Sequence, residues 1–109
     1  MPGSFSDAYI EASGTPITGN IFAVTTVTQS YQATVNDNII ESNGAITITL
    51  PSAVGLKGIV YIVKRIYANG NTVVNTTGGQ TIDGQASVTL TSQYDALEVV
   101  SNGANWDVI

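Results

Sequence analysis

Asp83, Asp95, Glu98 and Asp107 are the side chains through which this chain could do acid–base work. Two carboxyl groups flanking a glycosidic bond can hydrolyse it, one as acid and the other as base or nucleophile. Other catalytic chemistry lacks its usual parts. The sequence has no His and no Cys, hence no imidazole base or ligand and no thiolate. A Ser nucleophile would need a Lys or carboxylate partner, and neither Gly-x-Ser-x-Gly nor Ser-x-x-Lys occurs. Each of the four acids also has a plainer role. Asp83 lies in Ile82-Asp83-Gly84, a composition typical of turns. Asp95 follows Tyr94 at the start of a strand, and Glu98 and Asp107 fall on strands, where charge discourages edge pairing. Asp83 with neighbouring carbonyls could hold calcium, which takes oxygen ligands, but no EF-hand-like spacing accompanies it. The expectation is a chain with no enzymatic activity, no cofactor and no metal.

Carbohydrate binding is the stronger functional alternative. Sugars stack on exposed aromatic rings, with Asn, Asp and Gln alongside to take the hydroxyls. Tyr31, Tyr67, Tyr94 and Trp106 offer the rings, and Asn69, Asn71, Asn102 and Asn105 stand in turns between strands. A lone Trp in a small β domain also serves as a core plug or as part of a subunit interface.

These residues must be positioned by strands. Val, Ile and Thr are abundant, and β-branched side chains favour pleated surfaces over helices. The first strand falls within residues 21–28. Residues 31–35 and 39–41 read as a hairpin around Asn36-Asp37-Asn38. After the Asn43-Gly44 turn, Ile46, Ile48 and Leu50 alternate with Thr47 and Thr49, a half-buried strand that Pro51 ends. Residues 59–66 break the alternation. Ile59, Tyr61 and Val63 fall on one face and Val60 and Ile62 on the other, so both faces need cover. Further strands fall at residues 72–75, around Val88 and Leu90, at residues 96–100, and at residues 106–109 beyond an Asn102-Gly103 hairpin. Turns recurring about every 8–12 residues are the spacing of a sandwich or small barrel.

Composition sets the remaining bounds. With 109 residues there is room for one core, built without any disulfide. Charged residues are 10% of the chain, against about 25% in an ordinary soluble domain. A β-rich surface with so little charge is expected to be covered by other subunits; the alternative is a monomeric sandwich kept soluble by Thr, Ser and Asn. The net charge of −5, with Lys57, Lys64 and Arg65 as the only basic residues, argues against nucleic acid and anionic membranes. No apolar run reaches the roughly 20 residues that span a bilayer. The start, Met1-Pro2-Gly3-Ser4, has no signal-peptide character, so synthesis in the cytoplasm is expected.

Residues 1–20 differ from residues 21–109, the β domain. Gly, Ser, Thr and Pro are frequent in this N-terminal arm. Residues 6–11 could form one turn of helix, with Asp7 near its start. The segment reads either as a solvated tail or as a docking arm anchored by Phe5, Tyr9 and Ile10.

A further indication lies in an ordered series of short motifs. They are Ile46-Thr47-Ile48-Thr49-Leu50-Pro51-Ser52-Ala53, Gly55-Leu56-Lys57-Gly58, Tyr61, Lys64, Gly70-Asn71-Thr72-Val73, Gly79, Thr81-Ile82-Asp83-Gly84, Tyr94, and Leu97-Glu98-Val99-Val100-Ser101-Asn102-Gly103 with Asn105-Trp106. From about Tyr31 to Ile109 the chain resembles the small β domain at the ends of bacteriophage tail fibres, head fibres and related spikes. Asp107 departs from that pattern, which carries an apolar residue after the Trp, and residues 1–30 lie outside it. The resemblance implies an all-β fold, a small antiparallel β-sandwich or barrel-like domain, assembled as a homotrimer. It implies a structural protein on the virion surface, made in the host cytoplasm, with no enzymatic activity. On this reading Ile59, Tyr61, Val63 and Trp106 face the other subunits, and the arm docks on another virion protein. The chain's start at Met1 and its shortness fit a small complete protein. The competing expectation is a tail-fibre tip that binds host surface glycan.

Overall fold

The structure is a computed structural model that describes residues 21–109. The docking residues Phe5, Tyr9 and Ile10 lie outside that range. Among these residues there are nine strands: β1 Val24–Val27, β2 Tyr31–Gln32, β3 Ile39–Ser42, β4 Thr47–Thr49, β5 Val60–Arg65, β6 Thr72–Asn75, β7 Ser87–Leu90, β8 Ala96–Ser101 and β9 Trp106–Val108. Among the described residues there is no helix. The all-β expectation is met, as expected for a chain built from short Val-, Ile- and Thr-rich segments divided by turn residues.

The strands form two sheets, ordered β9-β8-β5-β3-β1 and β2-β4-β6-β7. The expected antiparallel arrangement is corrected to a mixed one. β1, β3 and β5 run parallel to one another, as do β2, β4 and β6. The chain therefore alternates between sheets and makes three stacked coils, β1 with β2, β3 with β4, and β5 with β6. The remaining strands are antiparallel: β7 on β6, β8 on β5, and β9 on β8.

The expected hairpin of residues 31–41 is absent for the same reason. β2 and β3 belong to different sheets, and Asn36-Asp37-Asn38 is a corner between layers. Asp37 makes that corner. Its amide donates to the Thr34 carbonyl (3.1 Å), and its carboxylate accepts the Thr34 amide (2.8 Å). The hairpin at Asn102-Gly103 is present. Asn102 Oδ1 accepts the Ala104 and Asn105 amides (both 2.9 Å), and Gly103 supplies the positive φ of 95° that the turn requires.

The core lies between the inner faces of the two sheets. Ile40, Tyr61, Val63, Leu97, Val99 and Trp106 come from the first, and Ile48, Val74 and Leu90 from the second. Leu50, Ala53 and Ile82 join from loops. Buried hydroxyls stitch the layers together. Ser42 Oγ and Thr72 Oγ1 lie 2.7 Å apart, and Ser101 Oγ donates to the Ala53 carbonyl at 2.7 Å. The turns leading out of β1, β3 and β5 stack closely at one corner. A Cβ on Gly70 would fall 2.5 Å from the Ala45 Cβ, and one on Gly44 would fall 3.0 Å from the Thr28 carbonyl oxygen.

Candidate functional site

β5 is the central strand of the five-stranded sheet, and its alternation divides the surface from the core. Tyr61, Val63 and Arg65 point inward and are buried, while Val60, Ile62 and Lys64 are half-exposed on the outer face. The residues expected to face other subunits are therefore redistributed. Tyr61, Val63 and Trp106 belong to the chain's own core, and Ile59 is half-buried against it. The physical reason is complementarity within the chain. The Tyr61 ring meets the Trp106 ring edge-on, with centroids 5.4 Å apart, and its hydroxyl reaches the Thr34 carbonyl at 2.7 Å. With these rings packed inside, the opposite face of the strand is the one left without cover among the described residues.

That outer face is built by register. Ile62 stands beside Ile39 on β3 and Glu98 on β8, and Ile39 stands beside Val24 on β1. Val60 pairs with Val100, which pairs with Asp107. Glu41 and Lys64 are neighbours in the next row. The result is an apolar strip of Val24, Ile39, Ile62, Val60 and Val100, bordered by Glu41, Lys64, Glu98 and Asp107. Val100 was not singled out from the sequence, although its place two residues after Glu98 on a strand puts both on one face.

The candidate acids do not gather. Asp83 sits at φ 45° in a turn, where its Oδ1 accepts the Val108 amide at 3.1 Å. Asp95 Oδ2 accepts the Ser92 amide at 2.9 Å. Asp107 accepts from Asn102 Nδ2 at 3.1 Å. Among the described residues no three potential metal ligands come together, and no pocket is present.

The carboxylate most tightly held is Asp37, which the sequence reading treated only as a turn residue. It is 5% exposed. Its Oδ1 accepts the Thr25 hydroxyl (3.0 Å), and its Oδ2 accepts the Tyr31 hydroxyl (2.8 Å) as well as the Thr34 amide and hydroxyl (2.8 and 3.1 Å). Burial pushes its pKa up, but the hydrogen bonds from Thr34, Tyr31 and Thr25 outweigh it and hold the carboxyl below its ordinary value. Its hydrogen bond raises the Tyr31 phenol, and burial raises that of Tyr61. These groups clamp β1, β2 and the corner before β3 together, and both carboxylate oxygens accept hydrogen bonds from the chain itself.

The four aromatic candidates for sugar stacking also separate. Trp106 is buried, the Tyr31 hydroxyl is committed to Asp37, and Tyr67 is half-buried with a ring atom near Gly70. Tyr94 alone of the four is open, at 61% exposure. It sits at φ 70°, a strained conformation for a ring-bearing side chain. The Lys64 ammonium lies 5.8 Å from its ring centroid. Comparison of the chain with family models, with curated proteins and with solved structures finds no match to any of them.

Proposed function

We propose that this chain is a structural protein of a bacteriophage virion: a homotrimeric surface fibre, spike or capsid decoration protein, attached through its N-terminal arm. The observation that carries the self-association is the outer face of the central sheet. Val60, Ile62 and Val100 are half-exposed there, on a sheet whose inner face the chain has already covered. In a trimer a different face of a neighbouring copy would cover this apolar strip, which has Glu41 and Lys64 beside it. The low charge of the chain supports the same reading. The assignment to a virion rests on the resemblance carried by the motifs from Ile46 to Trp106.

Sedimentation of the full chain at micromolar concentration tests the assembly. A single species three times the mass of the chain is expected, and a clean mass near 11.3 kDa would overturn it. Immuno-gold labelling of virions tests the location, with label on the outer surface as the expected result.

One observation favours the receptor-binding alternative. Tyr94 is an exposed ring on a strained turn, and such strain concentrates at functional positions. On that reading the chain is a fibre tip and Tyr94, rather than Trp106, is the stacking platform. Specific signals on a glycan array, lost in Tyr94→Ala with the fold intact, are its expected signature.

A further inference from the structure

The turn that presents Tyr94 is pinned to the end of β5. The Tyr94 amide donates to the Arg65 carbonyl (2.7 Å), and the Arg65 amide donates to the Asp95 carbonyl (2.9 Å). Gln93 Nε2 donates to the Ile66 carbonyl at 3.1 Å. The turn also closes on itself. The Asp95 amide donates to the Ser92 carbonyl (3.1 Å), and Asp95 Oδ2 accepts the Ser92 amide (2.9 Å). These bonds fix Tyr94 at φ 70°, a conformation that suits Gly and strains a residue with a side chain. Burial returns little for that strain, because the residue is 61% exposed. Folding alone would favour Gly here, so the ring points to a role outside the fold.

A row of polar groups begins beside the ring. The Lys64 ammonium lies 5.8 Å from the Tyr94 ring centroid. Lys64 stands next to Glu41 in register, and Glu41 next to Thr26. These side chains lie on the outer face, since Arg65 and Ser42, one residue further along β5 and β3, are buried. In-register neighbours lie about 4.8 Å apart. A ligand ring seated on Tyr94 therefore brings its substituents to Lys64 and, one strand further, to Glu41. Glu41 Oε1 accepts the Thr26 hydroxyl at 2.8 Å, which holds the carboxylate in this row. A carboxylate has room for several donors, so that bond leaves it able to take another.

The chemistry of the row selects among ligands. An ammonium only donates and a carboxylate only accepts, whereas a sugar hydroxyl does both. An acidic sugar fits poorly. Glu41 is the register neighbour of Lys64 on one side, and on the other Asp95 directly precedes its neighbour Ala96, with Glu98 two residues beyond. Three carboxylates around one ammonium repel an anion, and Arg65 is turned into the core. We propose that Tyr94, Lys64 and Glu41 form a subsite for a neutral pyranose. The C–H face of the sugar stacks on Tyr94, Lys64 Nζ donates to one hydroxyl, and the Glu41 carboxylate accepts from another. The subsite rests on the fibre-tip reading, and adds to it the class of sugar and the two groups that orient it.

The test uses the full chain on an array that carries neutral hexose and N-acetylhexosamine oligosaccharides beside sialylated and uronic-acid ones. Binding to neutral oligosaccharides is expected, and Tyr94→Gly is expected to abolish it. Lys64→Met and Glu41→Ala are each expected to weaken it about tenfold, the loss of one charge-assisted hydrogen bond. Tyr94→Gly is also expected to melt no lower than the parent chain. A melting temperature well below the parent's would assign the ring to the fold and overturn the subsite. Binding confined to acidic oligosaccharides would overturn the neutral-sugar assignment while keeping Tyr94 as a platform. Neutral binding that Tyr94→Gly abolishes, but that Lys64→Met and Glu41→Ala leave intact, would do the same for the two polar contacts. Absence of binding to every oligosaccharide on the array would overturn the fibre-tip reading itself, and the subsite with it.

Discussion

Asp37 and Trp106 show opposite treatments of a buried polar group. Asp37 has four hydrogen-bond donors around one carboxylate, whereas Trp106 Nε1 has no partner among the described residues. Replacing Asp37 with Asn turns two acceptor oxygens into one acceptor and one donor, facing an amide that can only donate and three hydroxyls that must reorient to accept. A loss of about 1–3 kcal/mol is expected in urea unfolding. The pH dependence follows from the direction of the shift. The folded carboxyl lies below the unfolded value of about 4, so its contribution is complete above that pH and is lost as pH falls through the folded value. Acid unfolding of the parent chain is expected to be steeper below about pH 4 than that of Asp37→Asn. For Trp106 the expectation is that Ala costs about 3–5 kcal/mol through the cavity. Phe is expected to cost far less, because it removes the orphaned donor while keeping most of the packing. Equal losses from Ala and Phe in thermal unfolding would show that Nε1 has a partner.

Among the elements, those with strong local alternation were legible in the sequence. Residues 46–50 and 72–75 and the final hairpin are strands where Ile, Val and Thr alternation and Asn-Gly turns placed them. The pairing of those elements was not legible. Residues 31–41 carry hairpin composition, yet β2 and β3 sit in different layers, because Asp37 is buried and folds the chain around a corner. The face of β5 was equally ambiguous, since Val60 and Ile62 are as apolar as Tyr61 and Val63. Contact with Trp106 and the Thr34 carbonyl decides it. Arg65 sits on the inner face at the end of this strand. Its guanidinium is tolerated because Nε and Nη2 reach the Tyr67 and Ala68 carbonyls at 2.8 and 3.2 Å. Stacked turns make a prediction at this scale. Gly70→Ala places a methyl group against the Ala45 Cβ, which cannot swing away. A loss of about 1–3 kcal/mol is expected by thermal or urea unfolding. Gly79→Ala, at φ 74° with open space around it, isolates the separate cost of backbone strain.

For the whole molecule, the outer strip of the five-stranded sheet is the feature that self-association must use. Ile62→Lys adds a charge to its centre without touching the core. The expected outcome is a folded chain, unchanged in circular dichroism, that sediments as a monomer. Persistence of the trimer in Ile62→Lys would place the interface elsewhere. The sequence by itself determined that this is an all-β chain without His or Cys chemistry, because residue types and period-2 alternation act locally. It also determined where most turns fall, through Gly, Asn and Asp at positions few other residues adopt. Only the tertiary structure decided that the strands wind as stacked parallel coils and that Trp106 and Tyr61 belong to the core. Those outcomes depend on which short strands become neighbours. That choice is set by the fit of distant side chains, such as Ser42 on Thr72 and Tyr61 on Trp106, which no local pattern encodes.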